Sequence, residues 1–247
     1  MNSAIEKAQE FNKEKILSSI MFLSDLPDNR PKARYVTTTY TELVRRISRL
    51  GIKASIHVPV NKIGSLIDEK FAMDNLMEIV NAGNKAGVFV WAAFDRDYGE
   101  MMIPEKFARM KGFGVAAPCD VVKNIADMWG ANAVKMVFGA DSDSESKAHV
   151  QEIKSEIEKR KTVVVSSPSR KLLSEISKSR FKKSIILEFG LGYSKRKIIK
   201  LSKKGFVTSM CVPFGKDWTS YAIGMVPDRK AGFIVGSLLK EEERRII

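Results

Sequence analysis

Several residue types are scarce in this 247-residue chain, and each scarcity removes a class of function. There are two cysteines, Cys119 and Cys211, without CxxC spacing, which excludes a disulfide framework or a zinc site built on cysteine. His57 and His149 are the only histidines, so a histidine-rich metal centre is excluded and no metal is expected. No apolar run approaches the roughly 18 residues that a membrane span needs, and the opening Met1-Asn-Ser-Ala-Ile-Glu6 lacks a signal peptide's basic end and apolar centre. Neither GxSxG nor a P-loop occurs, and no Ser-His-Asp arrangement is visible. The expectation is a soluble cytoplasmic protein.

Acids are the deficient charge. Asp and Glu number 29 against 42 Lys and Arg, a formal net charge of +13, which favours anionic partners. The excess is concentrated in Lys178-Ser-Arg-Phe-Lys-Lys183 and in Ser194 to Lys204. In the second run Ile198, Ile199 and Leu201 interrupt the cations at helical spacing, as in an amphipathic helix with a solvated basic face. No clustered aromatic platform or nucleic-acid motif accompanies it, so nucleic-acid binding ranks last among the functional readings.

What is present is alternation. Eight short apolar runs recur: Ile16 to Leu23, Lys53 to Val58, Val88 to Phe94, Gly114 to Ala117, Ala131 to Val137, Thr162 to Ser166, Ile185 to Phe189 and Val207 to Val212. Helical periodicity fills most of the intervals, for example Tyr35 to Leu50, Glu69 to Ala86, Glu145 to Lys161 and Ser194 to Lys203. In the second of these, Ala72, Leu76, Ile79 and Val80 form one stripe that must be buried. Pro104 to Lys111 is too short for a helix. Strands alternating with helices give a parallel sheet, because parallel pairs need crossover connections. Eight units in a chain of this length predict an α/β fold, a single (β/α)8 TIM-type barrel, with a doubly wound open sheet as the alternative. The barrel is expected to fill one domain, with a helical extension at 1–14, a C-terminal helix closing the mouth and a charged tail at 239–247.

In such a barrel, chemistry sits at the C-terminal ends of the strands. There the sequence offers His57, Asp95, Lys135, Ser166, Ser167, Glu188, Gly190, Gly192, Pro213 and Gly215. Lys135 interrupts an apolar strand, and a buried ammonium must pair with an acid or anion. Asp95 and Glu188 are the available partners, in either a structural ion pair or a functional site. Gly190-Leu-Gly192 ahead of a helix suits a phosphate. His57, with no second histidine nearby in sequence, reads as a pocket or core residue rather than a metal ligand.

Three stretches carry a family resemblance. They are Ala54-Ser-Ile-His-Val58 with Leu66 to Val80, Ala133-Val-Lys-Met-Val-Phe138, and Val212-Pro-Phe-Gly-Lys-Asp-Trp-Thr-Ser-Tyr221. From Phe22 to Leu238 the chain resembles the barrel of the proline dehydrogenase family, flavoenzymes of proline catabolism. The resemblance implies FAD across the mouth and hydride transfer from proline to the flavin, giving pyrroline-5-carboxylate. It implies Lys135 as the active-site lysine, with Tyr221 and Asp228 near the substrate; Asp95 at its strand end and Arg229 are the further substrate candidates. The resemblance places Gly192 among the loop residues around the mouth and implies an electron acceptor or a downstream dehydrogenase as partner; the residues expected around the cofactor are Asn132, Lys135, Ser166, Ser167, Glu188, Gly192 and His57.

The departures from the family pattern are numerous. Gly224 and Met225 stand in place of an arginine pair that clamps the proline carboxylate, and Arg229 is the nearby substitute. Asn132 replaces an arginine, His57 a lysine, Ala93 an aspartate, Pro168 a histidine, Glu188 a glutamine and Cys211 a tyrosine. Two readings therefore compete: a diverged flavoenzyme acting on proline or a related imino acid or amine, and a barrel that has lost proline oxidation and binds another small ligand or a protein partner.

Overall fold

The computed structural model describes residues 1–95, 107, 110–138, 145–190 and 193–216. The eight expected strands are all present: β1 Leu17–Phe22, β2 Ala54–Pro59, β3 Val90–Ala93, β4 Phe113–Pro118, β5 Ala133–Val137, β6 Thr162–Ser166, β7 Ile185–Phe189 and β8 Val207–Phe214. They pair in parallel in chain order, and β8 returns to β1 to close the barrel. The open-sheet alternative is thereby excluded. The described helices are α1 Asn2–Lys13, α2 Arg30–Arg49, α3 Glu69–Ala86, α4 Val122–Met128, α5 Ser146–Lys159, α6 Arg170–Lys178 and α7 Lys195–Lys203. Among them none is long and apolar enough to cross a membrane. The expected mouth-closing helix and the tail at 239–247 lie outside the described residues.

Local chemistry sets the helix starts. Asn29 accepts a hydrogen bond from the Lys32 amide at 3.0 Å and Pro31 fills the first turn of α2. The helix therefore begins earlier than the apolar stripe from Tyr35 suggests. Asp68 caps α3 through the Phe71 amide at 2.7 Å, and Ser169 caps α6 through the Leu172 amide at 3.1 Å. The stripe Ala72, Leu76, Ile79 and Val80 of α3 is fully buried, as its spacing requires.

The period of two along each strand divides the core. Ile20, Ile56, Val90, Val115, Val134, Val163 and Leu187 face the helices and belong to one continuous apolar core. Trp91, Ala116, Ala133 and Val164 form a second, smaller cluster inside the barrel, with Phe89, Ala93 and Ile186 packed against it. Gly114 is needed there: a Cβ at this position would stand 2.6 Å from the Trp91 ring and 2.9 Å from Ala133 Cβ. Small residues on β3, β4 and β5 thus make room for one indole.

The strand ends are fastened by side chains. The Tyr40 hydroxyl of α2 accepts from the Phe22 amide at 3.0 Å and donates to the His57 carbonyl at 2.8 Å. It bridges β1 and β2 at the point where their register ends, at Met21 opposite His57. Burial pushes the Tyr40 phenol above its ordinary pKa, so it remains a neutral donor. The Phe22 ring stacks on Phe214 at 5.1 Å, and beyond it Gly215 has φ of 120°. A Cβ on Gly215 would reach within 2.0 Å of the Leu23 carbonyl oxygen, so only glycine fits.

Candidate active site

Among the described residues, the barrel interior holds one charged cluster, built from six strands. Lys135 on β5 is wholly buried. Its Nζ lies 3.0 and 2.9 Å from the two carboxylate oxygens of Glu188 on β7. It also donates to Ser19 Oγ on β1 at 3.0 Å and lies 3.3 Å from His57 Nδ1 on β2. The Trp91 ring of β3 completes the enclosure, with its centroid 5.1 Å from the ammonium. Ser166 on β6 donates to Glu188 Oε1 at 3.1 Å. Alternate residues of neighbouring strands point inward, which is why side chains from strands distant in sequence meet here.

Proton bookkeeping follows from this geometry. An ammonium has three N–H donors and no acceptor. Glu188, Ser19 and His57 together absorb all three, so Lys135 has none left for a ligand. Glu188 balances the charge at distances typical of strong charge-assisted bonds. His57 Nδ1 faces a donor that can never accept, so Nδ1 carries the lone pair and Nε2 carries the proton. Burial, followed by repulsion from the Lys135 cation, holds the His57 pKa well below its ordinary value. His57 is therefore a neutral imidazole of fixed tautomer. It is only partly buried, and its Nε2–H has no partner among the described residues.

The sequence-derived candidates thus separate. His57, Lys135, Ser166 and Glu188 come together. Ser167 follows β6 with φ of 54°, and its amide donates to the Glu188 carbonyl at 2.9 Å, which places it at the rim beside the cluster. Asp95, one of two acids available to Lys135, is exposed and accepts instead from Asn61 Nδ2 at 2.9 Å. The lysine's partner is Glu188. Asn132 precedes the first residue of β5, at the end of the barrel opposite the mouth, where it is exposed and its carbonyl accepts from the Lys161 amide at 3.0 Å. The strand direction therefore separates Asn132 from the other cofactor candidates. Gly192, Tyr221, Asp228 and Arg229 lie outside the described residues, as do Gly224 and Met225.

Ser19, Trp91 and Tyr40 were not singled out in the sequence. The signal for Ser19 was the pair of hydroxyls inside the apolar run Leu17-Ser-Ser-Ile-Met-Phe22. For Trp91 it was an indole at an inward position beside small residues. Nothing local marks Tyr40, whose role depends on where two strands diverge.

The chain aligns with proline utilization A (PutA) from Bdellovibrio bacteriovorus inactivated by N-propargylglycine, with a TM-score of 0.65 and 15% identity over 87% of this chain. PutA from Corynebacterium freiburgense gives 0.62 and 11% identity over 98% of this chain. A Bradyrhizobium japonicum PutA mutant gives 0.62 and 12% over 83%. The likeness is one of fold. This chain spans 30%, 30% and 27% of those three chains respectively. No family model and no curated protein matches the sequence.

Proposed function

We propose that the barrel is a proline dehydrogenase-like oxidoreductase, oxidising L-proline or a related imino acid or amine by hydride transfer to FAD, with pyrroline-5-carboxylate the product if the substrate is proline. The observation that carries this reading is the fold likeness to PutA at TM-scores of 0.62 to 0.65. Sequence resemblance in the second, fifth and eighth strands adds to it.

The donor set at the mouth is compatible in kind with a flavin, whose ring edge is rich in hydrogen-bond acceptors. His57 offers an unpartnered N–H at the end of β2, and Ser167 stands at the exit of β6. These two residues would hold the ring, and FAD when bound supplies the hydride acceptor. Lys135 then acts as a positioning residue: it fixes the His57 tautomer and does not itself reach the ligand. Glu188 holds Lys135 in turn, and Ser166 holds Glu188. Turnover calls for an electron acceptor, and the product for a downstream dehydrogenase.

The test is the visible absorbance spectrum of protein purified with and without added FAD. Two flavin bands, with the long-wavelength band bleached by proline under anaerobic conditions, are expected. A flavin that proline leaves coloured redirects the search to other imino acids and amines. Absence of flavin at excess FAD overturns the reading.

One observation favours the second reading, a barrel that binds another ligand without oxidising proline. The central cation is neutralised internally by Glu188, so it offers no free charge to a substrate carboxylate. Absence of flavin in the same experiment would put this reading first.

A further inference from the structure

The two basic runs are separate in sequence but adjacent in the barrel. Residues 176–216 contain eleven lysines and arginines and a single acid, Glu188, which is buried against Lys135. No acid in that segment is left to neutralise the surface. β6 pairs with β7 through Val163 opposite Ile185, and β7 with β8 through Ile186 opposite Val207. The loops entering these three strands therefore lie side by side at the end of the barrel opposite the mouth. They carry Lys159 and Lys161 before β6, Arg180, Lys182 and Lys183 before β7, and Lys203 and Lys204 before β8. The loops touch: a Cβ at Gly205 would lie 3.9 Å from Lys183 Cε.

These seven cations have no ion-pair partner among the described residues, and all but the half-buried Lys182 are exposed. Other surface cations are matched in part: Arg30 pairs with Asp68, Lys32 with Asp28, Arg34 with Glu78 and Lys123 with Glu152, whereas Lys13, Lys53 and Lys70 stand singly rather than in a row. Lys178, in the same region, is taken by Glu175, and Arg160 by Glu156 and Asp127. Helix dipoles account for one cation in the last turn of each helix. They do not account for Lys161, Arg180, Lys182, Lys183 and Lys204, which lie beyond the helix ends.

We infer that this face binds the phosphodiester backbone of a nucleic acid, independently of the chemistry at the mouth. Three neighbouring strand entrances, spaced about 4.8 Å apart, set out a row of cations that a regularly charged strand can follow. Val207, the first residue of β8, is the sole large exposed hydrophobe at these strand entrances among the described residues, which gives a lipid surface little to grip. These loops show no exposed aromatic side chain among the described residues, so recognition is of phosphates rather than bases.

The experiment is fluorescence anisotropy of the full chain with a labelled DNA duplex of about 20 base pairs and the matching single strand, between about 50 and 200 mM salt. Engagement of about five of the seven cations predicts a log–log salt slope of about −4.5 on the duplex. Arg180→Glu, Lys183→Glu and Lys204→Glu combined should lower the slope by about 2.7 and weaken binding by at least about tenfold. The corresponding triple glutamine variant, with its circular dichroism spectrum matched to the unaltered protein, guards against misfolding. Absence of binding at about 50 mM salt, a slope near zero, or binding by the variants equal to that of the unaltered protein overturns the inference. Binding to phosphatidylserine vesicles but not to either nucleic acid overturns it in favour of lipid.

Discussion

Lys135 and Glu188 face each other across the barrel from β5 and β7, with one strand between them and both carboxylate oxygens within 3.0 Å of Nζ. Both are buried, and among the described residues each is the other's ion-pair partner in the barrel interior.

Removing one partner strands the other. Lys135→Met should destabilise the fold by about 3–5 kcal/mol, and Lys135→Met with Glu188→Gln should restore a large part of the loss. For a chain of this size the single change lowers the melting temperature by about 2–4 °C per kcal/mol. Calorimetry on the two variants separates a lost charge pair from lost volume. If the double variant is no more stable than the single, the pairing account fails.

The His57 tautomer can be read by NMR of protein labelled with nitrogen-15 at histidine, since only one other histidine contributes. The expected pattern is a protonated Nε2 and a bare Nδ1, unchanged from pH 8 to about 5.5. Lys135→Met removes the smaller of the two causes and should raise the His57 pKa, while burial still holds it below its ordinary value of about 6.5. A His57 that titrates near that value in the unaltered protein would contradict the geometry.

The same residue contributes to the pH dependence of stability. Its native pKa is depressed, so below about 6.5 the unfolded chain binds a proton that the native state refuses. The contribution is complete above that pH and is lost as pH falls, by about 1.4 kcal/mol per unit for one proton. His57→Gln should flatten the denaturation midpoint between pH 7 and 5 relative to the unaltered protein.

Two glycine substitutions test the packing. Gly114→Ala forces the Trp91 indole aside and should cost about 1–3 kcal/mol, with a change in tryptophan emission. Gly215→Ala meets backbone rather than a side chain, at the Leu23 carbonyl, and should cost more. Equal stability of the two variants in urea would show that the close approach at Gly215 is readily relieved.

The barrel was legible in the sequence because strand and helix periods differ and alternate eight times, a pattern that few architectures accommodate. Lys135 stood out because a cation in an apolar strand demands a partner. Which partner was not legible: Asp95 and Glu188 both lie at strand ends, and only the inward alternation of β7 selects Glu188. Asn132 is three residues from Lys135 in sequence, yet strand direction carries it to the opposite end. The convergence of the basic loops was hidden for a similar reason, since Lys161, Lys183 and Lys204 become neighbours only when β6, β7 and β8 pair.

Barrel closure has a kinetic consequence. The β1–β8 seam runs over six paired residues from Leu17 opposite Ser209 to Phe22 opposite Phe214, and Lys195 meets Glu10 beside it at 2.7 Å. These contacts join the two ends of the described chain, so a long loop must close before any of them can form. Until β8 arrives, β1 and β7 present unpaired edges that can recruit a second molecule. The seam therefore governs not only the native shape but the interval during synthesis and refolding when the chain is most prone to self-association.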